Sequence, residues 1–179
     1  APTITSSPVN TTVCVGQPVN ASVSATANGG GSLRYAWTSG GAEVPGATSS
    51  NFTIARASAS DNGKIFTVSV TNNCGTINGG SFTLIVGDKP TVSISTSIPE
   101  NPTAKKPTVC LGSPISFLVT SESNGYAPSY TWYKDDISKG TSSSNSLIVN
   151  TSTTADAGTY KLNVSNSCGA VTSNAITIG

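Results

Sequence analysis

The stretch Val70-Thr71-Asn72-Asn73-Cys74-Gly75 ends a run of alternating residues with a cysteine, and Asn163-Val164-Ser165-Asn166-Ser167-Cys168-Gly169 repeats the device. Each cysteine has an upstream mate in a matching phrase, Thr12-Val13-Cys14-Val15-Gly16 and Thr108-Val109-Cys110-Leu111-Gly112. A tryptophan, Trp37 or Trp132, lies between the members of each pair. Working outward, Gly16 matches Gly112 across 96 residues, Trp37 matches Trp132 and Asp61 matches Asp156 across 95, and Cys74 matches Cys168 across 94. One fold is therefore used twice, and 179 residues suit two domains of about 90, with boundaries at 1–87 and 88–179. The opening phrase Pro2-Thr3-Ile4 recurs sooner, as Pro90-Thr91-Val92 after 88 residues. The second half thus carries about eight extra residues before Cys110, within Ser95–Pro107, whose three prolines predict an edge excursion that cannot pair as a strand.

Composition points to an all-β chain. Ser and Thr number 54 of 179, and Val, Ile, Thr and Tyr recur between clusters of Gly, Pro, Asn and Ser. Period-2 patterning places Val19, Ala21 and Val23 on one face, and likewise Leu33, Tyr35 and Trp37, and Phe66, Val68 and Val70. Their counterparts are Ile115, Phe117 and Val119, then Tyr130 and Trp132, then Tyr160, Leu162 and Val164. Phe52, Ile54, Leu147 and Val149 read as a further inward set, as do Phe82, Leu84, Val86, Ile176 and Ile178. The reading is two tandem β-sandwiches with aliphatic and aromatic cores.

A net charge of +1, with no basic cluster beyond Lys105–Lys106, leaves no footprint for counterion-release binding to nucleic acid. No apolar run approaches the roughly 18–20 residues that span a bilayer, so membrane insertion is not expected. The sequence has no Met, so Ala1 is not read as a translation start but as a processed end or the edge of a longer chain. With no histidine, there is no Ser-His-Asp or Cys-His constellation, and no catalytic residue or cofactor is assigned. The cysteines, without a C-x-x-C, do not read as a metal site. Paired disulfides imply an oxidising, extracellular compartment. Four cysteines permit three pairings; because each half holds one complete phrase, the expectation is Cys14–Cys74 and Cys110–Cys168.

Asp156-Ala157-Gly158-Thr159-Tyr160 resembles the corner of immunoglobulin domains, where a tyrosine hydroxyl bonds back to the upstream backbone. The first half has Asp61-Asn62-Gly63-Lys64-Ile65-Phe66, and phenylalanine cannot make that bond, so its corner is expected to be looser. In antibody-type domains the second core cysteine follows the corner tyrosine by two residues. That position is here Leu162, or Val68, and its partner position is Val119, or Val23, against which Trp132 and Trp37 pack. The displaced cysteines are then expected together at one end of each sandwich, as a staple worth roughly 4 kcal/mol for a closed loop of about 60 residues. The combination of the Thr-Val-Cys-x-Gly phrase, the tryptophan, the Asp-Ala-Gly-Thr-Tyr corner and Val-x-Asn-x-Cys-Gly resembles the immunoglobulin-like repeats of bacterial secreted and surface proteins.

That resemblance implies a structural or adhesive building block of an extracellular fibre or long surface adhesin, or else a carbohydrate-binding accessory module of a polysaccharide-active protein. For the second reading the candidate ring residues are Tyr133, out of phase with Trp132 and expected to face solvent, and Tyr126, in a polar connection. Asp135 and Asp136 read as turn residues rather than calcium ligands, and Asp61 and Asp156 as corner residues. Five N-x-Ser/Thr triplets, at Asn10, Asn20, Asn51, Asn150 and Asn163, match chance for this composition. Written tail to head, Ile178-Gly179 followed by Ala1-Pro2-Thr3-Ile4 nearly reproduces Val86-Gly87-Asp88-Lys89-Pro90-Thr91-Val92. The expected partner is therefore a second copy, head to tail, or a neighbouring immunoglobulin-like repeat, with a short last strand leaving an open pairing edge; glycans are the alternative partner.

Overall fold

The computed structural model describes residues 1–122, 127–142, 144–150 and 152–179, with the backbone alone described at 122 and 142. It divides into two compact units, Ala1–Gly87 and Asp88–Gly179. In domain 1 the strands are β1 (Thr3–Ser6), β2 (Thr11–Cys14), β3 (Val19–Ser22), β4 (Ser24–Thr26), β5 (Arg34–Ser39), β6 (Ala42–Glu43), β7 (Asn51–Ile54), β8 (Ile65–Asn72) and β9 (Gly75–Gly87). One sheet runs β2-β9-β8-β5-β6, with β2 parallel to β9; β1 with β4 and β3 with β7 form the opposing layer. Val19, Val23, Trp37, Phe52, Phe66, Val68, Val70, Phe82, Leu84 and Val86 close the core between them. Every one sits on the inward phase of a period-2 pattern, which is why those strands form where they do.

Trp37 stands directly opposite Val68 on the neighbouring strand. Its indole Nε1 donates to the Ser49 carbonyl at 2.9 Å, so the ring buries without leaving a donor unpaired. Beside it β9 bulges, with Val68 facing Gly80 and Ser69 facing Asn78. The extra residue is Gly79, where an added Cβ would lie 2.8 Å from a Val68 methyl and 3.2 Å from a Val23 methyl. A missing side chain at Gly79 thus lets Val23 and Val68 meet beneath the tryptophan.

Domain 2 contains β10 (Thr91–Thr96), β11 (Glu100–Asn101), β12 (Lys106–Pro107), β13 (Ile115–Glu122), β14 (Ser129–Lys134), β15 (Ile137–Ser142), β16 (Ile148–Val149), β17 (Gly158–Asn166), β18 (Gly169–Thr172) and β19 (Ile176–Ile178). One layer runs β10-β13-β16; the other runs β15-β14-β17, with β18 and β19 both on β17. Its core holds Ile94, Ile115, Phe117, Tyr130, Trp132, Tyr160, Leu162, Val164 and Ile178, with Val119 half-buried against it. Leu162 lies directly opposite Trp132. Where β9 bulges in domain 1, the equivalent strand here breaks between β18 and β19. Ser173 caps the break through bonds with both backbone groups of Leu162, and Asn174 bonds the N–H and C=O of Ile94 in the facing layer.

Two expectations are corrected here. The proline-rich excursion does pair: β11 and β12 form a small hairpin in which Glu100 faces Pro107 and Asn101 faces Lys106. Asn101 permits it, its side chain accepting from the N–H groups of Thr103 and Ala104 to hold the intervening turn. The last strand does not end on an open edge. The Gly179 N–H donates to Pro107 and its carbonyl accepts from Val109, so the segment following the hairpin covers that edge, as β2 covers β9.

Candidate functional site

The corners behave differently in the two domains. In domain 2 the Tyr160 hydroxyl donates to the Asp156 carbonyl at 2.7 Å. Burial, and then the charges of Asp156 and Asp135, push the Tyr160 phenol above its ordinary value of 10. A group whose folded pKa is raised stabilises fully below its unfolded value and loses that contribution as pH rises, so domain 2 should weaken above about pH 10. Tyr160→Phe should cost about 1 kcal/mol at neutral pH and flatten that alkaline decline, as read by urea melts across pH. In domain 1 the work is done by an ion pair, Lys64 Nζ to Asp61 Oδ1 at 2.7 Å, and by the Ser58 N–H donating to Asp61 Oδ2. The Lys64 and Ser58 bonds hold Asp61 below the usual carboxylate range.

Asp135 and Asp136 form the two-residue turn between β14 and β15, both with positive φ (51° and 62°), as Gly40 and Gly41 do between β5 and β6. Their carboxylates are engaged within the domain: Asp135 by Lys134 at 2.6 Å and the Thr159 N–H at 2.8 Å, Asp136 by Lys161 at 3.0 Å. Tyr133, expected to face solvent, is half-buried between Lys161 on β17 and Ser138 on β15. Tyr126 lies outside the described residues. In domain 1 a groove of about 370 Å³ is lined by Val44, Pro45, Phe52, Ile54, Lys64 and Phe66, but both phenylalanines are buried in the core and offer no free ring face to a sugar.

The cysteines carry the most consequential correction. Cys74 and Cys110 are exposed free thiols, whereas Cys14 and Cys168 are disulfide-bonded. The expected pairs Cys14–Cys74 and Cys110–Cys168 are therefore not formed, and strand geometry explains why. Cys14 ends β2 opposite Gly87, while Cys74 sits in the hairpin turn before Gly75, at the other end of the 13-residue β9. Those ends lie about 40 Å apart at ~3.3 Å per residue, against the ~7 Å between Cα atoms that a disulfide tolerates. In domain 2 Val109 is bonded to Gly179, beyond the Gly158 end of β17, and Cys168 turns the hairpin at the Asn166 end. The length of β17, nine residues, again separates them. Placing the first cysteine of each phrase at the hairpin end was wrong because β2 runs parallel to β9 and finishes where β9 finishes.

Each sandwich thus has two poles. At its N-pole the chain arrives and a hairpin presents Cys74 or Cys168; at its C-pole the chain departs beside Cys14 or Cys110. The paired poles are built alike. Asn72 and Asn166 each accept from the cysteine N–H two residues on, at 2.9 and 2.8 Å. Their amides then anchor the hairpin, Asn72 to the Ala27 carbonyl and Asn166 to the Asp88 carbonyl. At the C-poles the Cys14 carbonyl accepts from Gln17 and the Cys110 carbonyl from Ser113, across turns completed by Gly16 and Gly112 at φ 83° and 81°. Those glycines donate to Ala57 and Ser152 respectively. Beside Cys110, Leu111 is 70% exposed and borders a cleft of about 230 Å³ formed with Val109, Ser152, Ala157 and Gly179.

No protein-family model matches the chain. No curated protein matches it in sequence. Solved structures do match its fold. A three-immunoglobulin-domain fragment of titin superposes with a TM-score of 0.72 at 17% identity, over 99% of this chain and 64% of that one. The chain therefore spans under two thirds of the titin fragment. Immunoglobulin domains 1–5 of Sidekick-1 give 0.68 at 16% identity, over 99% of this chain and 38% of that one. The two-domain IG1+IG2 structure of DIP-gamma gives 0.61 at 13% identity, over 99% and 96%. The chain is two tandem immunoglobulin-like β-sandwiches.

Proposed function

We propose that this chain is a structural or adhesive building block of an extracellular surface fibre or long adhesin of the bacterial type, its domains stacked head to tail. The observation that carries the reading is the passage of the chain from pole to pole through each sandwich, with a turn-held cysteine at both poles. In domain 1 an added Cβ at Gly75 would lie 3.8 Å from Ala1, and β9 delivers the chain to Gly87 at the far end. In domain 2 Lys89 packs against Gly169 at the hairpin end, and Gly179 closes beside Val109 at the other. A module that takes the chain in at one end and releases it at the other extends a line with every repeat added. A surface with few charges, nine basic and eight acidic in 179 residues, adds little long-range repulsion between copies.

Electron microscopy of material from the native surface tests the reading. Unbranched fibres or long rods are expected. Discrete particles that bind glycan arrays, with binding lost in Tyr133→Ala, would replace it with the carbohydrate-binding module.

A further inference from the structure

We propose that domain 1 carries N-linked glycan on the outward face of its β3–β7 pair, with Asn20 and Asn51 as the acceptors. The inference rests on the extracellular placement of the building block and goes beyond it by assigning a covalent modification. Of the five N-x-Ser/Thr triplets, the fold makes two into neighbours. β3 and β7 pair antiparallel with Asn20 opposite Thr53 and Ser22 opposite Asn51, so Asn20-Ala21-Ser22 and Asn51-Phe52-Thr53 lie side by side in opposite directions. Residues i and i+2 of a strand share a face, so each asparagine stands beside its own hydroxyl residue while Ala21 and Phe52 turn to the core. Asn20, Ser22, Asn51 and Thr53 are all exposed. Together the two triplets line an uncharged groove of about 300 Å³. Diagonal neighbours of this kind lie roughly 7–8 Å apart, so a glycan on either asparagine covers both strands.

The other three triplets are committed to the fold. Asn10 Oδ1 accepts from the Thr83 N–H at 2.8 Å, which ties that amide to β9. Asn163 donates from Nδ2 to Thr172 Oγ1 at 3.0 Å. Two residues after Asn150, the Ser152 hydroxyl is buried and donates to the Cys110 carbonyl at 3.1 Å. Among the described residues, the side chains of Asn20 and Asn51 make no such bond.

Domain 2 is the internal control. Ser116 faces Ile148 where Asn20 faces Thr53, and the repeat puts Leu118 and Ser146 where domain 1 has Ser22 and Asn51. Both triplets are therefore absent from that face, and Leu118 and Ile148 stand 70% and 59% exposed. One repeat offers the face to sugar; the other leaves it apolar. In domain 1 β7 pairs on one side alone, and a glycan at Asn51 shields its other edge from strand addition by a neighbouring chain.

The transfer balances without oxidation or reduction. Asparagine Nδ2 attacks the anomeric carbon of a sugar activated as a lipid-linked diphosphate, held by a transferase that reads the hydroxyl two residues on. The C–N bond forms, the C–O bond to the diphosphate breaks, and one Nδ2 proton leaves to a base of the transferase.

Glycopeptide mass spectrometry of native material tests the assignment, with electron-transfer fragmentation to keep each sugar on its residue. A saccharide mass increment on Asn20 or Asn51, and on none of Asn10, Asn150 and Asn163, is expected. Asn20 and Asn51 both recovered unmodified, or saccharide on any of the other three, would overturn it. Fibres seen by microscopy whose Asn20 and Asn51 are bare would remove the glycan and leave the building-block reading standing.

Discussion

Trp37→Ala is expected to cost domain 1 about 3–5 kcal/mol, a large part of what a domain of this size possesses. The ring is 1% exposed and touches Phe52 and Phe82 at centroid distances of 5.1 and 6.1 Å. Truncation empties that volume and also strands the Ser49 carbonyl that now accepts from Nε1 at 2.9 Å. A loss of that size lowers the melting temperature by on the order of 15–30 °C for about 90 residues. Hydrogen exchange should locate it, with β8 and β9 amides losing protection while those of β14 and β17 keep theirs. The phenylalanine variants sharpen the test. Trp132 Nε1 is buried with no acceptor among the described residues, so Trp132→Phe forfeits no hydrogen bond and should cost less than Trp37→Phe.

Leu162→Ala is expected to cost domain 2 about 2–5 kcal/mol. Leu162 is fully buried and faces Trp132 across β14 and β17. Both Leu162 backbone groups are fixed by Ser173, so the site cannot collapse around a smaller side chain without breaking the cap between β18 and β19. The measurement is denaturant unfolding of the full chain, in which the transition assigned to β17 should move and that of β8 should not. A near-neutral result would mean that Leu162 does not occupy the centre of the inter-layer contact.

Much of the fold was legible because it is written in period-2 alternation. Val19, Trp37, Phe66 and Val68, and in the second half Ile115, Trp132, Tyr160 and Leu162, lie inward where the pattern puts them. The corner tyrosine was legible through the resemblance of Asp156-Ala157-Gly158-Thr159-Tyr160 to the immunoglobulin corner, and the structure supplies the bond itself. What alternation does not encode is the direction of a short edge strand. Thr11–Cys14 reads the same whether it runs with β9 or against it, and its parallel pairing decides at which pole Cys14 lies. The pairing of the cysteines depended on that one orientation. The proline-rich excursion was misread for a related reason: proline forbids a ladder donor, but Pro107 needs only its carbonyl to pair, and the Asn101 turn is a side-chain effect.

The central claim is that the chain runs from pole to pole through each sandwich, so that the two cysteines of one domain sit at opposite poles and do not pair with each other. Peptide mapping of native material, alkylated at extraction and digested without reduction, tests it most directly. The expected result is no linked peptide joining Cys14 to Cys74 or Cys110 to Cys168. Either intradomain link recovered from the digest would contradict it.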